Sequence, residues 1–221
     1  MSVKQYSTAR EKKYPNERVK NALLFVCEQE IVSFPQFGEV LTRKDNNPKE
    51  LTRRAIDLHV ARLVELELLE RKHFNYKTYL QPTRKGYEYV ECSLPRTMPT
   101  SLEHTEYATT ARIWAERRRP ESIWIPDRSP DCVHTSEYRV DYNTFVGEER
   151  VSINVEVTPK SKERLRRIIR SLANTFMTNW YFTTPAVSRL LVRLMNEPEM
   201  WDISDQFIIR DFTYLHLYHD D

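Results

Sequence analysis

"INVEVTPKSKERLRRIIRSL", residues 153–172, decides how this chain folds. Ile153, Val155 and Val157 alternate with Asn154, Glu156 and Thr158, the two-residue period of a strand with unlike faces. Past Pro159 the period becomes helical. Ser161 is placed to cap a helix whose Leu165, Ile168, Ile169 and Leu172 form an apolar stripe, with Arg164, Arg166, Arg167 and Arg170 mostly outside it. Glu156 is the anomaly, because a carboxylate inside an apolar strand must either emerge on an exposed face or be held by a cation.

Upstream, "YRVDYNTFV" (138–146) and "RVSINVEV" (150–157) read as a hairpin across the polar turn 147–149, and "SIWIP" (122–126) adds another strand. Thr100 and Glu103 form a capping box that opens a helix with Leu102, Ala108, Ile113 and Trp114, running into the basic cluster Arg117 to Arg119. Downstream, "NWYFTT" (179–184) is a strand of buried type, Thr184 and Pro185 open a helix that continues to Met195, and "FIIRDFTYLHL" (207–217) supplies a last strand. The order α-β-β-β-α-β-α-β describes a sheet with flanking helices, α/β in the broad sense (α+β overall). Trp114, Trp124 and Trp180 most simply fill its core.

The first part of the chain reads differently. Val19, Leu23, Leu24 and Cys27 share one face of a helix over residues 17–31, and a short second helix covers 33–41. Asn47 as N-cap, Pro48 at the first helical position and Glu50 closing a capping box open a third helix, whose Ile56, Val60, Leu63 and Val64 keep the 3.6-residue period. "LERKHF" and "TYLQP", around "NYK", make a hairpin, and "TRKGYEYVE" a closing helix. Three helices and a two-stranded ribbon specify a winged helix-turn-helix. The expected organisation is a flexible basic arm at 1–15, the winged helix at 16–92, a linker at 93–100 ("SLPRTMPT") and an α/β domain at 101–221.

Bulk properties narrow the function classes. Charged residues are 30% of the 221, and the net charge is +2; residues 1–96 hold 18 Lys and Arg against 13 Asp and Glu, so the positive excess lies in the first module. No apolar run reaches the roughly 18 residues of a spanning helix, and the first residues lack the apolar core of a signal peptide, so a cytoplasmic address without membrane insertion is expected. Cys27, Cys92 and Cys132 are too scattered for a disulfide framework or zinc knuckle, and 3 glycines leave no glycine-rich phosphate loop.

In a winged helix the third helix enters the major groove while the hairpin follows the backbone or minor groove. Lys49, Thr52, Arg53 and Arg54 then meet base edges, and Lys72, His73 and Lys77 decorate the wing. In the second module, Asp141 and Glu156 on neighbouring strands offer oxygen ligands to a hard divalent cation, Mg²⁺ or Mn²⁺. Lys160 stands just past the strand end, where it offsets developing negative charge or helps to activate water, and Arg164 and Arg167 on the following helix hold the nucleic-acid backbone. His104 is positioned to orient a phosphate or a water, with Glu106 as a third metal ligand; Asp127 and Asp131, in a proline-rich turn, rank behind Asp141. The bland alternative has Asp141 and Glu156 paired to arginines on an exposed sheet face. No histidine cluster accompanies Tyr138, Tyr142 or Tyr181, which favours hydrolysis, or another nucleophile, over a tyrosine-linked intermediate.

The acids and lysine resemble the PD-(D/E)xK nuclease pattern, with departures: Thr158 occupies the usual lysine position, Lys160 comes two residues late, and Val140 precedes the Asp in place of proline. More widely, "TYLQPTRKGYEYVE", "LEHTEYATTARIW", "YRVDYN", "NVEVTPKSKERLRRIIRSLA" and "NWYFTTPAVSRLLVRL" together resemble the replication-relaxation family, over about residues 17–195. That family is similar to the MobC-type relaxases of mobilizable plasmids, which join a winged helix to a restriction-endonuclease-like domain. The resemblance implies binding to a transfer origin or other plasmid site and metal-dependent nicking of one strand. It assigns Asp141 and Glu156 to the metal-binding acids, Lys160 to the lysine of "TPK" and His104 to the histidine of the "H-T" helix. It equally implies an alternative, a non-catalytic DNA-binding accessory or regulator of plasmid mobilization or replication with a degenerate nuclease-like domain. The partners implied are double-stranded DNA at a plasmid origin, coupling or mobilization accessory proteins, and a second copy of the chain in a homodimer.

Overall fold

Mixed α and β structure is observed, in a computed structural model that describes residues 15–42, 51–94 and 101–215. The chain divides into two units, Met1–Leu94 and Pro95–Asp221. Of the expected basic arm only Pro15 is among the described residues, and of the expected linker only Ser93 and Leu94.

In the first unit the Asn16 side chain accepts the Val19 N–H at 3.0 Å and starts α1 (Glu17–Gln29). Then come β1 (Val32–Ser33), α2 (Phe34–Thr42), α3 (Arg53–Glu65), β2 (Leu69–Phe74), β3 (Lys77–Pro82) and α4 (Arg84–Tyr89). The antiparallel sheet has the order β1-β3-β2. The two residues of β1 fall where the first expected helix (17–31) gives way to the second (33–41): Val32 and Ser33 pair with Leu80 and Tyr79, adding a third strand to the hairpin. Leu23, Val26, Phe37, Leu41, Val60, Leu63 and Leu80 are fully buried, which is why the apolar period of each helix is legible.

The third helix begins later than expected. Leu51 and Thr52 are not helical, and the Thr52 hydroxyl accepts the Ala55 N–H at 3.3 Å, so a threonine immediately before Arg53 supplies the cap expected of Asn47. Asn47, Pro48, Lys49 and Glu50 lie outside the described residues. Val64, expected in the apolar stripe, is 36% exposed, and Val60 and Leu63 carry the burial. Behind the hairpin, Thr83 accepts from the Gly86 N–H at 3.0 Å and donates to the Glu67 carbonyl at 2.5 Å, drawing α4 against the chain entering β2. The approach is so close that a Cβ on Gly86 would lie 2.2 Å from the Leu68 carbonyl oxygen.

The second unit runs α5 (Leu102–Arg118), β4 (Trp124–Pro126), β5 (Tyr142–Val146), β6 (Glu149–Glu156), α6 (Lys162–Ala173), β7 (Thr178–Thr183), α7 (Pro185–Met195) and β8 (Phe207–Asp211). The sheet order is β4-β5-β6-β7-β8. β5 is antiparallel to both its neighbours, β4 and β6, whereas β6, β7 and β8 run parallel. Ser101, not Thr100, caps α5, accepting the His104 N–H at 3.2 Å; Thr100 is outside the described residues. The expected strands β6 and β7 and helices α6 and α7 form within a residue or two of their expected limits.

Each face of this sheet is covered. Ala108, Ala111 and Ala115 of α5 pack with Val151, Ile153, Val155 and Phe182 on one side. Leu165, Ile168, Ile169 and Leu172 of α6 pack with Tyr181 and with Val187 and Leu191 of α7 on the other. Adjacent residues Tyr181 and Phe182 thus serve opposite cores, as strand alternation requires. The same alternation puts Ser152, Asn154 and Glu156 on the α6 side, where all three are buried. The exposed-face alternative for Glu156 therefore does not hold: helix α6 covers the face on which it was expected to emerge. Trp124 is buried, Trp114 and Trp180 are half-buried, and Trp114 meets Phe182 edge-on with ring centroids 5.7 Å apart.

Candidate functional site

Glu156 is the last residue of β6, and β5 runs antiparallel to β6, so the start of β5 and the end of β6 meet at one end of the sheet. Asp141 stands there, one residue before β5 begins at Tyr142 rather than within the strand. Its position is set by a change in pairing. The side of Val155 that a longer β5 would satisfy is served instead by side chains: Asp141 Oδ2 accepts the Val155 N–H at 2.7 Å, and His104 Nε2 lies 3.1 Å from the Val155 carbonyl. His104 Nε2 also lies 3.3 Å from Asp141 Oδ1. A carbonyl oxygen can only accept, so Nε2 carries the proton and directs it between the carbonyl and the carboxylate. Helix α5, started by Ser101, is what delivers His104 to this point.

The second acid is held from the other direction. The chain leaves β6 at Glu156, turns through Pro159, and brings the Lys160 ammonium into an ion pair with Glu156 Oε2. The Glu156 side chain is 7% exposed and that of Lys160 21%, so the cation that a carboxylate in an apolar strand demands is present and mostly buried, a lysine rather than an arginine. The Lys160 ammonium also lies 5.8 Å from the centre of the Tyr138 ring. Burial, and then the neighbouring Arg164, lower the pKa of Lys160, while Asp141 acts against them.

Burial dominates the electrostatics of Asp141 and pushes its pKa up to about 6, against the opposing pull of His104, the Val155 N–H and Lys160; Asp127 adds to the rise. Asp127 is near because β4 pairs with β5, and its N–H donates to the Asp141 carbonyl at 2.9 Å. Its carboxylate accepts from Arg139 at 3.1 Å. Asp131 is exposed, and its carbonyl accepts from Arg150 at 2.6 Å. The hydroxyls of Tyr138 and Tyr181 are held protonated chiefly by burial and also by Asp141. The Tyr181 hydroxyl and Asn154 Oδ1 are both buried and have no hydrogen-bond partner among the described residues.

Asp141, His104, Glu156 and Lys160 are thus brought to one end of the sheet. Among the described residues no three His, Cys, Asp or Glu side chains form a group that could hold a metal ion. The Glu106 carbonyl accepts from Thr110 within α5. Arg164 and Arg167 are exposed on the first turns of α6, three residues apart on one helix face. Arg166 and Arg170 are used internally, the first paired with Glu197 and the second donating to the Glu199 carbonyl at 3.1 Å.

In the first unit, Arg53 and Arg54 are exposed in the first turn of α3 beside the Thr52 cap. Lys72 pairs with Glu70 at 3.0 Å across one face of β2, and His73 Nδ1 lies 3.3 Å from the Thr78 hydroxyl. Lys77 is exposed at the start of β3. Sequence reading misses the contributions of Tyr138 and Tyr181 to the surroundings of Asp141, and of Arg139 to Asp127. Those contacts depend on strand register and on the irregular segment 127–141, neither of which has a periodic signal.

Neither a protein-family model nor a curated protein matches this chain. No helix among the described residues is long and apolar enough to cross a membrane.

Proposed function

We propose that the chain is a DNA-processing protein of relaxase type: the first unit, as a winged helix-turn-helix, binds a specific duplex site such as a plasmid transfer origin, and the second, as an endonuclease-like domain, nicks one strand there. The placement of Asp141 and Glu156, with His104 and Lys160, at the end of the sheet from which α6 departs with its exposed arginines carries this reading. The order of three helices and a hairpin in the first unit, with Arg53 and Arg54 exposed at the start of α3, supports the DNA-reading half.

The donor set suits Mg²⁺ or Mn²⁺. Two carboxylates are the usual protein share of such a site, the remaining positions being filled by water and phosphate oxygens. A bound divalent ion supplies charge to polarise a scissile phosphodiester and lowers the pKa of a coordinated water. The residues of this chain do the rest. Asp141 and Glu156 would hold the ion, and His104 fixes the Asp141 carboxylate through its Nε2 proton. Lys160, whose ammonium sits beside Glu156, would offset negative charge developing on the phosphate or, as the neutral amine, take a proton from the attacking water. Arg164 and Arg167 track the backbone on either side of the cut.

A second reading has its own observation. The Lys160 ammonium already neutralises Glu156, and both oxygens of Asp141 are engaged, one by the Val155 N–H and one by His104. A domain in which these bonds are permanent is a non-catalytic DNA-binding accessory or regulator. Supercoiled DNA bearing the bound site, incubated with Mn²⁺, separates the two: conversion to open circles by the native chain and its loss in Glu156→Ala supports nicking, whereas binding without conversion under any divalent metal supports the accessory.

A further inference from the structure

The hairpin apex of the first unit carries a residue that its backbone disfavours. Phe74 pairs with Lys77, leaving a two-residue turn of Asn75 and Tyr76 at φ 46° and 63°. Such turns need both central residues in the left-handed region, and Asn followed by Gly is the sequence that adopts it most readily. Asn75 conforms. Tyr76 does not, since a Cβ in that region crowds the following carbonyl. The ring gains no packing in compensation: Tyr76 is fully exposed, and among the described residues it has neither a ring contact nor a hydrogen-bond partner.

The surroundings indicate what the ring meets. Phe74, next to the turn, is 44% exposed, with its ring centre 6.0 Å from that of Tyr79. Arg71, Lys72, His73 and Lys77 flank the apex, with Arg71 paired to Asp57 and Lys72 to Glu70, each at 3.0 Å. A flat apolar group among cations complements a polyanion that itself presents flat apolar surfaces, which describes sugars and bases between phosphates. A basic protein partner would be repelled by the same flanks.

We propose that Tyr76 is a DNA contact, an aromatic side chain held at the hairpin apex that packs against the sugar walls and base edges of the minor groove. Its contribution to affinity is independent of ionic strength, because the ring releases no counterions. The proposal rests on the reading of the first unit as a duplex binder.

The test exploits the strained turn. Tyr76→Gly relaxes the backbone, so the thermal midpoint of the full chain rises by about 4 °C. Affinity for a mixed-sequence DNA duplex, followed by fluorescence anisotropy over a series of KCl concentrations, falls about ten-fold with an unchanged salt slope. Tyr76→Phe binds as the native chain does, and Lys77→Ala lowers the salt slope by about one. Native-like binding by Tyr76→Gly, or a weakening accompanied by a changed slope, overturns the role of Tyr76 while leaving duplex binding intact. A native chain that fails to bind the duplex at low salt overturns the reading of the first unit, and this proposal with it.

Discussion

Lys160 reaches back four residues to pair with Glu156, so the cation that compensates the buried carboxylate comes from the same short segment that ends β6 and starts α6. Strand, turn and helix cap are therefore coupled to the charge balance of the site. A mostly buried pair adds little over a well-packed apolar pair, but removing one partner alone strands the other. Lys160→Met is expected to destabilise the chain by about 3 kcal/mol, and Lys160→Met with Glu156→Gln to recover most of that loss. Urea denaturation of the two single variants and the double variant measures the coupling; equal losses in Lys160→Met and in the double variant would show that the pair is not the source.

Asp141 gives stability an unusual pH dependence. Its pKa rises from 3.8 in the unfolded chain to about 6 in the native one, so between these values the native state binds more protons. Stability contributed by this group is present below pH 3.8 and is lost as pH rises through 6, by at most about 3 kcal/mol. Asp127, also raised by burial, acts in the same direction. Denaturation in EDTA at about pH 4.5 and about pH 7.5, on either side of the shifted value, should show the native chain losing more stability across the interval than Asp141→Asn does. An identical loss in both proteins would contradict the assignment.

The proton on His104 is the most direct reporter of how Asp141 is held. In the neutral imidazole, Nε2 is expected to be the protonated nitrogen, because the Val155 carbonyl beside it can only accept. Nitrogen-15 chemical shifts of the ring distinguish the two tautomers. A neutral His104 protonated at Nδ1 would contradict the hydrogen bond to Val155, and with it the positioning of Asp141.

Much of this arrangement is legible in the residue pattern, and the gaps have physical causes. The β6–α6 transition declares itself because alternation gives way to a 3.6-residue period at a proline and a serine cap, and the structure keeps that boundary. Glu156 stands out as anomalous in the sequence, but its partner does not: charge at position 160 does not reveal that the turn folds back. The Asn47 cap illustrates the opposite problem. Several residues before α3 are chemically able to cap, and Thr52, next to Arg53, is the one that does. The alternation of "YRVDYN" points Asp141 to the interior of a strand, whereas its carboxylate takes the Val155 N–H where the ladder stops. Register of this kind is a tertiary property.

Gly86 tests the packing of the first unit. With the Leu68 carbonyl oxygen 2.2 Å from the place a Cβ would occupy, Gly86→Ala forces α4 away from the chain entering β2. A loss of about 2 kcal/mol is expected, despite the higher helix propensity of alanine. Thermal melts should show a lower midpoint for the variant; an unchanged or raised midpoint would mean that α4 is not fixed by this close approach.

Arg164 and Arg167 are free of the internal pairs that occupy Arg166 and Arg170. The double variant Arg164→Ala/Arg167→Ala should keep native stability while reducing the salt slope of DNA binding by about two, one for each phosphate that an arginine no longer neutralises. Binding isotherms over a range of KCl concentrations measure the slope. An unchanged slope would remove α6 from the DNA path.

Under the proposed function, whether Asp141 and Glu156 share one divalent ion separates nicking from passive binding, and electron paramagnetic resonance of Mn²⁺ titrated into the chain in the presence of a DNA duplex reads that out without relying on cleavage. One ion held per chain is expected, lost in both Asp141→Asn and Glu156→Gln, with duplex binding retained. No bound Mn²⁺ in the native complex, or an ion that survives both substitutions, would show that the two carboxylates do not form a metal site.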